Sequence, residues 1–241
     1  MATAKKITVK EILSIFKDNY NETNVNGMAR FGIDSSNAFG LSMPQIRGLA
    51  KEIGRNNELA MELWDTKFHE SKLLSIFIAE PKKVTSEQLD HWVSEITSWD
   101  ECDQFCSNLA GMSPFYLTKI DEWTLSNEEF ILRAGIVLIV VIAYKKKKEI
   151  SDDYVLKNYK HLLITHSTDP RNFVKKAVNW AIRQLGKRSH YMRLEMIKLC
   201  DEILEIHSKS APARWVAKGA LRELNDEKII NRIKLERVGW G

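Results

Sequence analysis

Cysteine, proline and glycine are all scarce in this 241-residue chain, which has three cysteines (Cys102, Cys106, Cys200), five prolines and eleven glycines. An odd, low cysteine count argues against a disulfide framework and suits a reducing compartment. So few turn-forming residues argue against an all-β architecture, in which short strands end repeatedly in glycine or proline turns. The longest apolar run, Ala134–Tyr144, has 11 residues, about half of the roughly 20 that a membrane-spanning helix needs. It reads as a buried helix, and no membrane association is expected. The N-terminus, MATAKKITVKEIL, holds no apolar stretch of secretory-signal length, so a cytoplasmic location is expected.

Chemistry-bearing motifs are missing as well. No GxxxxGK[ST], GxGxxG or GxSxG pattern occurs, which excludes the common nucleotide-binding loops and the serine-hydrolase elbow. His69 and Glu70 do not extend to HExxH, and His91, His161, His166, His190 and His207 show no ligand pairing at helical spacing. Neither a metal nor a cofactor is expected. Cys102 and Cys106, one helical turn apart, read as small core residues.

What is present is helical. Apolar residues make up 44% and charged residues 28%, ordinary values for a folded globular chain. Helix-start signals recur as Ser42 with Gln45 around Pro44, Thr85 with Gln88, and Ser126 with Glu129. In each, a hydroxyl caps a backbone N–H and a side chain three residues on returns the bond. Helical periodicity follows, in Ile46, Leu49, Ala50 and Ile53, in Leu89, Trp92, Val93 and Ile96, and more loosely in Phe173, Ala177, Trp180 and Leu185. The spacing predicts helices over 8–19, 43–55, 57–64, 68–80, 86–97, 99–109, 114–121, 127–145, 152–164, 171–186, 190–206, 211–224 and 226–236. Trp240 is expected to pack back onto the last of them.

Thr85, Ser126 and Asp169 open successive helix pairs at separations near the length of a HEAT-type repeat. Such pairs bury their apolar faces only by stacking, so the expected fold is all-α, an α-α superhelix with a concave basic cleft, with a compact bundle as the alternative. No linker rich in Gly, Pro or Ser divides the chain, and one domain over 1–241 is expected.

The net charge of +4 hides an asymmetry: residues 171–222 hold 12 Lys or Arg against 4 Asp or Glu, while residues 1–170 hold 20 against 24. Arg214, Lys218 and Arg222 recur every fourth residue and form one stripe. On the preceding basic helix Lys176, Trp180, Arg183 and Lys187 share a face, so an indole lies among cations. Cations release counterions from phosphates and an aromatic ring meets a base or sugar, which suits nucleic acid; a solvated helix face is the plain alternative. The run Lys145–Lys148 falls at a helix end, where cations complement the macrodipole.

In SWDECDQFC (98–106), Trp99 and Asp103 are four apart and project from one helix face. A buried tryptophan beside a solvated acid has the same spacing.

Several ordered segments resemble the AlkD-like DNA alkylation-repair proteins, HEAT-repeat DNA glycosylases that remove cationic N3- and N7-alkylated purines. They are GLSMPQIRGLAKEIG (40–54), HESKLL (69–74), SWDECD (98–103), FILRAGIV (130–137), FVKKAVNWAIRQLGK (173–187) and RWVAKGALREL (214–224). The resemblance implies that Asp103 is the catalytic aspartate, that Trp99 and Trp180 are the two active-site tryptophans, and that Arg133 is the arginine accompanying them. Arg30 and Phe31 are candidates for the family's N-terminal DNA contacts. Lys176, Arg183, Lys187, Arg214, Lys218 and Arg222 would hold the backbone. The implied partner is duplex DNA containing alkylated purines, engaged by a monomer. A non-catalytic protein binding distorted or branched DNA is the second reading, and a protein–protein scaffold the third.

Overall fold

The computed structural model describes residues 7–238, and side chains as far as 233, so Trp240 lies outside the described residues. Fourteen α-helices and two 3-10 turns make up the regular structure of the described residues, with no strand among them. None of these helices is long and apolar enough to cross a membrane. Two compact units form, Met1–Tyr116 and Leu117–Gly241.

The first unit runs α1 (Val9–Asp18), α2 (Glu22–Met28), a 3-10 turn (Ala29–Phe31), α3 (Met43–Ile53), α4 (Asn57–Trp64), α5 (His69–Ile78), α6 (Ser86–Ser94), α7 (Trp99–Asn108) and a second 3-10 turn (Ala110–Met112). α5 is its axis, packed against α3, α4 and α7, and for that reason nearly every residue of α5 is buried, polar ones included. The pairing expected of Ser42 and Gln45 is formed, with Ser42 N–H donating to Gln45 Oε1 at 2.9 Å and Pro44 in the first turn. Thr85 Oγ1 accepts from Gln88 N at 3.1 Å, but the Gln88 side chain does not return the bond, so only half of that expected pairing forms. Trp64 and Trp92 stack at 4.2 Å between centroids, 2° from parallel, and anchor the core beside α6. α2 is the helix that periodicity misses. Its sequence ETNVNGM buries nothing; Asn21 caps it, and Asn24 Nδ2 ties it to the Gly40 carbonyl at 2.8 Å.

In the second unit α8 (Tyr116–Trp123), which starts at the unit boundary, is followed by α9 (Glu129–Lys145), α10 (Asp152–His166), α11 (Asn172–Gly186), α12 (His190–Ile206), α13 (Ala211–Leu224) and α14 (Glu227–Val238). The apolar run forms α9, buried on all sides from Leu132 to Ala143 and packed on α11. α11 in turn packs on α12 and α13.

Two expectations need correction here. α9 starts at Glu129 without a capping box. Ser126 Oγ instead accepts from Glu128 N at 3.1 Å, and the Glu129 carboxylate accepts from Phe173 N at 3.2 Å, so Glu129 caps the start of α11 rather than that of its own helix. On α11 the core face is Val174, Ala177, Val178, Ala181, Ile182 and Leu185, the true three-and-four spacing, while Phe173 and Trp180 are only half-buried at its flank.

Candidate active site and nucleic-acid interface

Within the first unit, α7 divides cleanly. Glu101, Cys102, Phe105 and Cys106 are buried, whereas Trp99, Asp103 and Ser107 are half-buried along the other side, one helical turn apart. No disulfide joins the cysteines. Trp99 and Asp103 therefore do share a partly accessible face. The indole is fixed there: Trp99 Nε1–H donates to the Phe31 carbonyl at 2.9 Å. The Phe31 ring is 65% exposed, and Arg30 is exposed beside it.

Behind this face lies a buried charge cluster that the sequence did not announce. His69, at the start of α5, bonds Asp100 through Nε2 and Glu101 through Nδ1, both at 3.0 Å. Burial opposes a charge on the ring, but the bonds and attraction from both carboxylates outweigh it and raise the pKa to about 10. The raised pKa favours an imidazolium between two first-turn acids of α7, and the partial positive charge of the α7 N-terminus favours those two carboxylates. Asp100 responds in the opposite direction: burial raises its pKa, the bond to His69 more than offsets this, and the net shift is downward. Lys72 Nζ approaches Glu101 at 3.7 Å. The neighbouring Glu70 faces the other way, its carboxylate accepting from the N–H groups of Phe39 (2.9 Å), Gly40 (2.6 Å) and Leu41 (3.2 Å). Gly40 has φ +78°, and a Cβ there would sit 2.4 Å from the Asn21 carbonyl oxygen, so glycine is required. A cavity of about 310 Å³ opens between this loop, Phe31, His69 and Asp100.

The second unit holds the basic residues. Arg133 is buried on α9 and donates through Nη1 to the Phe173 carbonyl at 2.6 Å. Trp180 is half-buried on α11, and its Nε1–H donates to Gln184 Oε1 at 3.1 Å in the amide orientation that also accepts from Lys187 at 3.2 Å. A groove of about 940 Å³ runs between α11 and α13, lined among others by Arg183, Arg214, Lys218 and Arg222. Four of the six predicted backbone-binding cations are thus brought together. Lys176 and Lys187 do not line the groove: Lys176 lies 5.9 Å from the Phe173 ring centroid, and Lys187 joins Arg183 in pairing with Glu223. Burial raises the Glu223 pKa, but its bonds to Lys187 and Arg183 lower it further than burial raises it.

Much of the concentrated charge turns out to hold the fold. Arg171 is bound to Asp169, Arg188 to Asp152 and the carbonyls of Ile142 and Ile150, and Arg193 to the Leu224 carbonyl. With Arg183 and Lys187 on Glu223, the cations left facing solvent in the groove are Arg214, Lys218 and Arg222.

One residue in this groove was missed. Trp215 is 47% exposed, and Lys175 Nζ lies 5.5 Å from its ring centroid. The signal was available, because the core set Ala213, Val216, Ala217 and Ala220 leaves Trp215 on the outer side of α13.

The sequence matches the family model described as DNA alkylation repair enzyme over residues 12–224. The chain belongs to this family. A solved structure belonging to a new family of proteins related to the HEAT-like repeat DNA glycosylases, with affinity for branched DNA structures, superposes with a TM-score of 0.72. Its identity to the chain is 18%, with 82% of this chain and 83% of that chain covered. This DNA alkylation repair family member thus has the HEAT-like helical fold. No curated protein matches it.

Proposed function

We propose that the chain is a DNA glycosylase hydrolysing the N-glycosidic bond of cationic N3- and N7-alkylated purines in duplex DNA, the opening step of base excision repair. The observation that carries this reading is the pinned Trp99 with Asp103 one turn along the same accessible face of α7.

A purine alkylated at N3 or N7 is already positive. As the C1′–N9 bond breaks, its electron pair neutralises the base, which leaves without needing a proton. No general acid is required. The sugar, by contrast, gains oxocarbenium character, and a carboxylate beside it stabilises that charge and accepts a proton from the water attacking C1′. Asp103 takes this role. Trp99 and Trp180 offer electron-rich faces that attract a cationic base by about 0.5–2 kcal/mol, which favours the lesion over neutral purines. Arg133, the arginine that the resemblance sets beside the deoxyribose, is buried and bound to the Phe173 carbonyl, so its part is to position α11 rather than to touch DNA. Arg214, Lys218 and Arg222 hold backbone, with Lys176 in support and Arg183 and Lys187 restrained by Glu223. The protein acts as a monomer in a reducing cytoplasm.

Base release from duplex containing 7-methylguanine tests the reading. The wild-type protein should release base, and Asp103→Asn should lower the rate by about two to three orders of magnitude. Failure of the wild-type protein to release base would leave the second reading, a protein that binds distorted or branched DNA without cutting it. That reading is favoured by the cationic groove, whose lining does not include Trp180. DNA binding insensitive to salt would leave the scaffold instead.

A further inference from the structure

The groove between α11 and α13 has an unusual wall. Apart from Trp215, its lining is charged or polar or is the single glycine Gly219: Arg183, Arg214, Lys218 and Arg222, with Asn179, Glu223 and Asp226. Its floor is built. Asn179 Nδ2 donates to the Val216 carbonyl at 2.9 Å, and a Cβ at Gly219 would come within 2.9 Å of that same nitrogen, so glycine at 219 leaves room for the Asn179 amide to make this bond. Such a lining does not suit an apolar ligand, and the size, about 940 Å³, is at the upper end of small-ligand sites.

Charge within the groove is also ordered. Glu223 is neutralised by Arg183 and Lys187, while Lys218 and Arg222 make no ion pair among the described residues. Arg214 is steadied by donating to the Ser208 carbonyl at 2.7 Å. Three cations one turn apart thus line the groove without ion pairs among the described residues, with an indole on the neighbouring helical position. Lys175 Nζ lies 5.5 Å from the ring centroid, and Trp215 stays 47% exposed. Phosphate binding alone gives no reason for a large exposed ring. Stacking does, and it needs the π-face of a base, which is covered by neighbouring pairs in an intact duplex.

We propose that the Trp215 groove takes an unpaired nucleotide of DNA, at a flap, gap or overhang. The base stacks on the indole, and its flanking phosphates lie along Arg214, Lys218 and Arg222. The inference rests on the reading that this chain binds DNA and is independent of glycosidic-bond hydrolysis.

Fluorescence anisotropy with undamaged DNA tests it, comparing a blunt duplex with the same duplex carrying a short single-stranded overhang that contains 2-aminopurine. The overhang duplex should bind more tightly, with quenching of 2-aminopurine emission by stacking. Trp215→Ala should abolish the quenching and remove roughly tenfold more affinity from the overhang duplex than from the blunt one. Trp215→Phe should keep most of the preference, which separates loss of stacking from loss of fold. Equal loss on both DNAs, unchanged quenching in Trp215→Ala, or an RNA overhang bound as tightly as DNA would overturn the proposal. Because no lesion is present, failure of base excision would not affect this result.

Discussion

Trp99 Nε1–H donates to the Phe31 carbonyl across 68 residues of sequence, at 2.9 Å, so the indole of α7 is oriented by a backbone atom of the N-terminal 3-10 turn. Trp99→Phe removes the donor and should cost about 1 kcal/mol of stability, together with a several-fold loss of 7-methylguanine release from the weaker ring quadrupole. Phe31→Ala keeps the carbonyl and deletes a ring that is 65% exposed, so it should cost less on both counts. Denaturant titration and a base-release assay on both variants measure this; a larger effect from Phe31→Ala would refute the assignment of the contact to the backbone.

The clamp of His69 between Asp100 and Glu101 gives stability a pH dependence of definite sign. Its folded pKa, about 10, lies above the ordinary 6.5. The contribution is therefore complete below 6.5, falls across the window from 6.5 to about 10, and is lost above it. The depressed pKa of Asp100 acts at the other end, its contribution being lost as acid protonates it below the ordinary 3.8. Urea midpoints should fall between about pH 6 and about pH 9, and His69→Gln should flatten that slope. An unchanged slope in the variant would remove His69 as its source.

Two glycines that look alike in sequence should respond oppositely to alanine. Gly40→Ala places a Cβ 2.4 Å from the Asn21 carbonyl oxygen at φ +78°, in the loop whose N–H groups Glu70 binds, and should cost about 2 kcal/mol or more. Gly48 lies inside α3 with nothing within 4 Å of its Cβ position, so Gly48→Ala should stabilise by about 0.5–1 kcal/mol. Thermal denaturation of the pair decides between these signs.

Glu223 restrains the charge of the groove by holding Arg183 and Lys187. Glu223→Gln should release both, tighten duplex binding several-fold at low salt, and steepen the dependence of log K on log salt by up to about 0.9 for each phosphate newly contacted. Titrations across a salt series read both quantities together. Identical affinity and slope would show that Arg183 and Lys187 do not reach DNA.

Much was legible before any coordinates. Short-range chemistry carries the helix starts at Ser42 and Thr85, the buried run of α9 and the shared face of Trp99 and Asp103, because capping and helical spacing act within a few residues. The same local logic failed where a long-range bond competes. Glu129 caps α11, and α2 forms with no apolar face because Asn21 and Asn24 anchor it.

Sequence alone determined the helical class, the order of the helices other than α2, the shared helix face of Trp99 and Asp103, and the crowding of cations into 171–222, all of them properties of residue type and spacing along the chain. Only the tertiary structure decided what those cations do. Arg188 and Arg193 were drawn inside to satisfy carbonyls, Arg183 and Lys187 were taken by Glu223, and Trp215 was left outside the core. Charge is counted along a sequence, but whether it is spent on the fold or offered to a partner depends on which carboxylates and carbonyls packing brings within reach.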